Sequence, residues 1–280
     1  MLYINRVPAP PLDAFIASIW FCERQPRPFA LERVLPTGAA QLIVNLKEDR
    51  TRMYHPETGA MAAGCGTVLS GVSSRYGVID TAEQECVAGV CFRPGGTVPF
   101  FETPAHEVTD AGISLEFVWG RRRAARLREQ LLASRTPTAK LDTLERAMAE
   151  AWKSSALDPA VAFALDQFAE RPEAARIAAV TDRIDLSPKR FIERFKAAVG
   201  VAPKRYCRIL RFQRALRGAE RGRPVDWTRI AVDCGYFDQA HFIHDFRSFA
   251  GITPTGYEAG RTQFRNHVNF LQSDAALEMR

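Results

Sequence analysis

The sequence predicts an α+β chain: a mainly β N-terminal domain with a helical tail, then an all-α domain of two helix-turn-helix units joined by a linker helix. Three observations predict it. Short apolar segments separated by turns fill the first hundred residues. From about Ser114 the apolar residues fall at helical spacing instead. Finally, a twelve-residue pattern near the end occurs twice, fifty-one residues apart.

The early segments include "QLIVNL" (Gln41–Leu46) and "ECVAGVCF" (Glu85–Phe92), with "LPTG", "HPETG" and "RPGG" as turns. "LEFVWGRRRAARLREQLLA" and "KLDTLERAMAEAWK" then read as two amphipathic helices, and Pro137 and Pro159 punctuate this stretch. These changes place a domain at 1–155, a second at 156–257 and a tail at 258–280.

The repeat pairs "FKAAVGVAPKRY" (Phe195–Tyr206) with "FRSFAGITPTGY" (Phe246–Tyr257). Phe, a basic residue, Gly, a β-branched residue, Pro and Tyr recur at the same offsets, and Phe191 matches Phe242. Each copy has a short apolar helix, a turn and a second helix. In the first, Ser187 is a preferred N-cap and Pro188 suits the first helical position, with Gly200 as the stop. In the second, the turn "CGYFD" leads into a helix from about Gln239 that stops at Gly251. Both copies are helix-turn-helix units.

At 100° per residue, Phe242, Phe246 and Phe249 share one face of the last helix. Ala240, His241, His244 and Arg247 lie opposite. In the first copy Phe191, Phe195 and Ala198 form the apolar face, and Lys189, Arg190, Glu193 and Lys196 project outward. Long polar side chains on a helix anchored from behind suit insertion into a DNA major groove. Between the units, Arg205, Arg208, Arg211, Arg214 and Arg217 recur every third residue on a connecting helix. Part of this set can meet phosphates, and the rest suits salt bridges within the domain.

Net charge is +6, of which residues 156–257 carry +5 and residues 1–155 only +1. A polyanion partner for the second half is consistent with that balance. No apolar run approaches the roughly 18 residues of a membrane span, and no signal peptide is evident, so the expected location is the cytoplasm. The six cysteines lack metal-ligand spacing and are expected as reduced, buried thiols. "GYFDQAHFIHDF" (Gly235–Phe246) holds four metal-ligating residue types. His241 and His244 share the exposed face, but Asp238 and Asp245 rotate toward Phe242, and two histidines make a poor site. No metal and no cofactor is expected. Arg93 in "FRPGG" is a candidate for an anionic effector or for a structural carboxylate, and "GRRRAARLR" (Gly120–Arg128) reads as a solvated helix face.

The stretch from about Pro159 to Tyr257 resembles the DNA-binding domain of the AraC/XylS family of bacterial transcription regulators. The residues that carry the resemblance are "LSPKRFIERFKAAVGVAPKRY", "RILRFQRAL" and "IAVDCGYFDQAHFIHDFRSFAGITPTGY". The resemblance implies recognition helices entering adjacent major grooves on one face of double-stranded DNA. By position it implies base reading by Lys189, Ile192 and Glu193 in the first unit, and by Gln239, Ala240, His241 and His244 in the second. Ile192 and Glu193 depart from the polar and basic residues usual there; a glutamate can accept from cytosine N4. Ser187, Arg190, Lys196, Arg205, Arg208 and Arg247 are the expected backbone contacts. "VLPTGAAQLIVNL", "FRPGG" and "LEFVWG" resemble a sensor-like domain of one branch of the family, which implies effector binding or dimerisation. RNA polymerase and a second copy of the chain join DNA and a small effector as partners to expect. The alternative is a DNA repair or alkyl-transfer protein with a DNA-binding appendage.

Overall fold

The computed structural model describes residues 1–25, 31–56, 58–153, 156–173, 177–184, 186–220 and 224–270. Its N-terminal part is a pair of antiparallel sheets. β1 (Leu2–Arg6), β2 (Ile16–Glu23), β3 (Leu31–Val34), β4 (Gln41–Asn45), β5 (Arg50–Tyr54) and β6 (Met61–Cys65) come first. They are followed by β7 (Thr67–Ser70), β8 (Gly77–Asp80), β9 (Cys86–Phe92) and β10 (Gly112–Ser114). One sheet runs β1-β2-β9-β4-β7-β10, and the other has β3-β8-β5-β6. The two strands expected from sequence are β4 and β9, neighbours in the first sheet.

Successive side chains on a strand point to opposite faces, so one face of the first sheet collects Ile19, Phe21, Leu42, Val44, Ala88 and Val90. Helices cover that face: α1 (Leu115–Trp119), α2 (Arg121–Ala133) and α3 (Pro137–Ala151), with Leu127, Leu131, Leu144 and Met148 buried against the sheet. The sequence pattern predicts one helix where α1 and α2 stand. The chain breaks it at Gly120, whose φ of +82° lies outside the helical range and is open to glycine at little cost. Thr136 caps α3 by accepting from the Ala139 N–H, ahead of Pro137 at the first helical position.

The helical part comprises α4 (Pro159–Glu170), α5 (Ile177–Ile184), α6 (Pro188–Val199), α7 (Pro203–Glu220), α8 (Trp227–Asp233), α9 (Gln239–Ala250) and α10 (Pro254–Gly260). The repeat in the sequence is a repeat in geometry. Ring centroids of Phe191 and Phe195 lie 5.7 Å apart, as do those of Phe242 and Phe246. Phe195 meets Tyr206 at 5.7 Å, and Phe246 meets Tyr257 at 5.8 Å. All six rings are buried, and each buried Phe contributes about 1.5–3 kcal/mol.

This core does not stop at the helical part. Leu35, Val72, Tyr76 and Val78 of the β part belong to the same apolar cluster as Phe195, Ile209, Phe212 and Phe249. Gln213 on α7 donates to the Pro36 carbonyl at 2.7 Å, and Thr109 donates to the Gly200 carbonyl at 2.7 Å. The segment after Tyr257 also returns to the β part. Its strand β11 (His267–Asn269) pairs with β3 in antiparallel register and becomes the edge of the second sheet. Nothing in the sequence pattern had marked this strand.

α9 is tied to α7 by a buried carboxylate. Asp245, whose side chain is 3% exposed, accepts from Arg208 Nε at 3.0 Å and from Arg208 Nη2, with Arg211 Nη2 at 3.8 Å. Removing Asp245 leaves Arg211 without its carboxylate, while Arg208, 35% exposed, can turn to water, so the cost falls below the value of about 3–5 kcal/mol for a fully buried pair. Asp245→Ala should therefore lower stability in urea unfolding by about 1–3 kcal/mol; a loss under about 0.5 kcal/mol would contradict the pairing. Gly251 ends α9 with φ +67°, and a Cβ there would lie 2.3 Å from a Tyr76 ring carbon. Gly251→Ala combines left-handed strain of about 1–2 kcal/mol with displacement of the Tyr76 ring. We expect it to depress Tm by several degrees, and an unchanged Tm would show that the two parts do not meet at this point.

Candidate nucleic-acid interface

α6 and α9 each begin with a cap that fixes the first turn. Ser187 Oγ accepts from the Arg190 N–H at 3.4 Å, ahead of Pro188, and Asp238 Oδ1 accepts from the His241 N–H at 2.6 Å. Both helices stop at a glycine, Gly200 and Gly251. Their first turns point otherwise unpaired N–H groups outward, which favours anions such as phosphate.

On α6, Ser187, Lys189, Arg190, Glu193 and Lys196 are exposed, as the helical wheel anticipates. Ile192 is different. It is half-buried and packs against the apolar cluster behind the helix. An aliphatic side chain beside Phe191 gains more from that cluster than from water, which accounts for its inward lean. On α9, Gln239, Ala240, His241, His244 and Arg247 are all exposed. Phe242, Phe246 and Phe249 are fully buried behind them. The His241 ring packs edge-on against Tyr236 with centroids 5.3 Å apart, which orients the imidazole from the turn side.

The histidines do not assemble a metal site. Asp238 is used as the N-cap and Asp245 is buried in the arginine clamp. Among the described residues no three His, Cys, Asp or Glu side chains converge to hold a metal ion.

Arg205 and Arg208, expected to contact phosphates, are half-buried and already have partners within the protein. Arg205 donates to the Ser74 carbonyl and lies over the Phe249 ring at 4.4 Å. Arg208 is committed to Asp245 and stands 5.4 Å from the centroid of the same ring. Burial pushes the Arg205 guanidinium below its ordinary pKa, with Arg208 as a like-charged neighbour. Low-dielectric partners outweigh solvent for these two side chains, so the linker helix spends them on holding the units together. Arg211 stacks over Tyr236 at 4.9 Å, and Arg214 pairs with Glu173 at 3.0 Å and donates to the Ala169 and Glu170 carbonyls.

Three further exposed residues stand beside α6 and α9, and the sequence pattern singles out none of them. Phe237, in the turn just before α9, is 92% exposed. Arg229 on α8 and Arg183 on α5 are exposed at the preceding helix of each unit, the element that crosses the DNA backbone in this motif. An aromatic inside a short polar turn was the one signal available for Phe237.

Arg93 is exposed, and its Nε donates to the Asp13 carbonyl at 2.8 Å. The space beside it measures about 10 Å³, no more than a single water needs. The cysteines offer no activated nucleophile among those whose thiols respond to burial. Burial pushes Cys207 up to about 12 and Cys234 up to about 11, and it also raises Cys86 and Cys91. A raised thiol pKa lowers the thiolate fraction that alkyl transfer requires.

Residues 180–260 match the family model of a helix-turn-helix domain, and residues 5–114 match that of a domain of unknown function. Over 105 residues the chain is 34% identical to the HTH-type transcriptional activator RhaS of Escherichia fergusonii, a match covering 38% of this chain and 36% of that protein. The chain thus spans about a third of the length of this curated relative. Among solved structures, apo ToxT from Vibrio cholerae covers 92% of this chain and 97% of its own at 9% identity, with a TM-score of 0.47. The C-terminal domain of AraT, a response regulator from Geobacillus stearothermophilus, covers 39% of this chain and 92% of its own at 21% identity, with a TM-score of 0.35. The duplicated phenylalanine cores lie within the matched residues 180–260, so this part of the chain is a helix-turn-helix domain.

Proposed function

We propose that this chain is a sequence-specific DNA-binding transcription regulator that places α6 and α9 in adjacent major grooves of one duplex. The observation that carries the reading is the duplicated geometry. Two helices present exposed polar faces, and each is held from behind by the same phenylalanine–tyrosine arrangement. Gln239, His241 and His244 are the base-reading side chains of α9, with Ala240 free to contact a thymine methyl. On α6, Lys189 and Glu193 reach base edges, while Ile192 contributes only its exposed edge. Ser187, Arg190, Lys196 and Arg247 meet phosphates, joined by Arg183 and Arg229. The β part acts as the controlling half and contacts a small effector, with RNA polymerase and a second copy of the chain as further partners.

A duplex selected in vitro against the full chain tests the base-reading assignment. Gln239→Ala or His241→Ala should weaken binding to that duplex by about 1–3 kcal/mol, roughly 5- to 150-fold, and leave a scrambled duplex almost unaffected. If both variants keep full discrimination, α9 does not read the bases. Lys196→Ala should instead weaken both duplexes alike and reduce the salt slope by about one. A sequence-dependent loss in that variant would place Lys196 at a base and not at a phosphate.

A further inference from the structure

Phe237 breaks the repeat. Leu186 and Phe237 hold equivalent positions, each one residue before its helix cap, Ser187 or Asp238. An apolar side chain there ordinarily closes over the fourth helical residue, here Phe191 or Phe242, and fixes the angle at which the chain enters the helix. Leu186 is half-buried and packs against the apolar cluster that holds Phe191. Phe237 is 92% exposed. Its place over Phe242 is taken by Tyr236, with ring centroids 5.1 Å apart. The Tyr236 N–H donates to the Ala231 carbonyl at 3.0 Å, and the Arg211 guanidinium lies over its ring. Tyr236 therefore does the packing that its neighbour would otherwise do, and Phe237 is left without a role in the core.

The exposure is also local. From α4 onward, the large apolar side chains that stand exposed among the described residues are Val232, at 70%, and Phe237. Both flank the turn between α8 and α9. The first unit has no counterpart, since Leu186 and Ile192 are half-buried. Immediately after Phe237 come the exposed residues of the first turn of α9, Gln239, Ala240 and His241. The Asp238 cap, accepting from the His241 N–H at 2.6 Å, holds the backbone of this corner. What remains to be ordered on contact is a side chain with two torsions.

In a helix-turn-helix unit, the N-terminal residues of the second helix meet base edges. A phenyl ring carries no hydrogen-bond donor or acceptor, so it cannot use the polar pattern of the groove. The apolar group that the major groove offers is the C5-methyl of thymine. We infer that Phe237 is a specificity-determining residue, one that covers a thymine methyl at the edge of the site read by α9. This assignment rests on the proposed placement of α9 in the major groove. It adds an apolar reader in front of the helix to the polar readers on it, and it gives the second unit a base preference that the first unit has no means to copy.

Thymine and deoxyuridine differ by that methyl group alone, which makes the contact testable atom by atom. The full chain and Phe237→Ala are titrated against the in vitro selected duplex and against copies with one thymine at a time replaced by deoxyuridine. At one thymine, the replacement should weaken the unaltered chain about three- to fivefold, the worth of one apolar carbon removed from water. Phe237→Ala should weaken binding to the selected duplex about 5- to 30-fold and be indifferent to the replacement at that same thymine. Its Tm should stay within about 2 °C, because the side chain packs against nothing in the free protein. Phe237→Leu, still apolar, should keep part of the sensitivity to the methyl. The proposal is overturned if Phe237→Ala binds the selected duplex unchanged, or if it keeps the deoxyuridine effect at every thymine. An equal loss on selected and scrambled duplexes, with no methyl dependence, would place the ring on the sugar-phosphate wall and overturn it too. A large fall in Tm would make Phe237 a packing residue and overturn it as well. Selection of a duplex without this coupling sinks the methyl contact alone, whereas a chain that selects no duplex sinks the regulator reading and the contact together.

Discussion

One buried carboxylate helps fix the setting of α9. Asp245 sits on the apolar side of α9, between Phe242 and Phe246 in sequence, and its charge is met by Arg208 and Arg211 of the linker helix. Once the carboxylate is buried, its energy depends on guanidinium groups at the right height along α7. That requirement sets the rotation of α9 about its own axis, and so decides that His241 and His244 face outward. The first unit joins α7 differently, through the Phe195–Tyr206 contact. A single helix thus fixes both units, the first by aromatic packing and the second by the Phe212 contacts with Phe246 and Phe249 together with the Asp245 charge. The separation between α6 and α9 becomes a property of a rigid rod, which suits a fixed step along DNA.

The same economy explains the arginines of α7. Their regular spacing gives a basic stripe, but a stripe in sequence does not say which neighbours are in reach. Arg205, Arg208, Arg211 and Arg214 each find a carbonyl, a carboxylate or an aromatic ring inside the protein. Exposed basic charge beside these helices lies on α6, at Lys189, Arg190 and Lys196, on α9 at Arg247, and on α5 and α8 at Arg183 and Arg229. The β part is equally integrated. Tyr76 packs where Gly251 ends α9, and Gln213 reaches Pro36 and Asn266 together. Motion in one part therefore has a physical route to the other.

What could be read from the sequence follows the range of the interaction concerned. Caps, helix stops and the phenylalanine faces depend on residues within a few positions, so Ser187, Pro188, Gly200, Gln239 and Gly251 all stand where local chemistry places them. β4 and β9 were legible because each is a short apolar run bounded by turn residues. The break at Gly120 was not, because the apolar spacing continues on both sides of it. β11 was not, because its partner β3 lies more than two hundred residues earlier and three residues carry no period. In the candidate interface, exposure of the α9 face was readable from helical geometry. The inward lean of Ile192 and the inward pairing of Arg205 and Arg208 depend on neighbours that only the folded chain brings near. Phe237 falls between these cases, an aromatic whose full exposure no local rule foretells.

The central claim is that α6 and α9 engage one face of the same duplex. Hydroxyl-radical footprinting of the full chain on an in vitro selected duplex tests it most directly. Two protected patches on one face, centred about one helical turn or about 10 base pairs apart, are the predicted result. A single protected patch, or two on opposite faces of the duplex, would contradict the account.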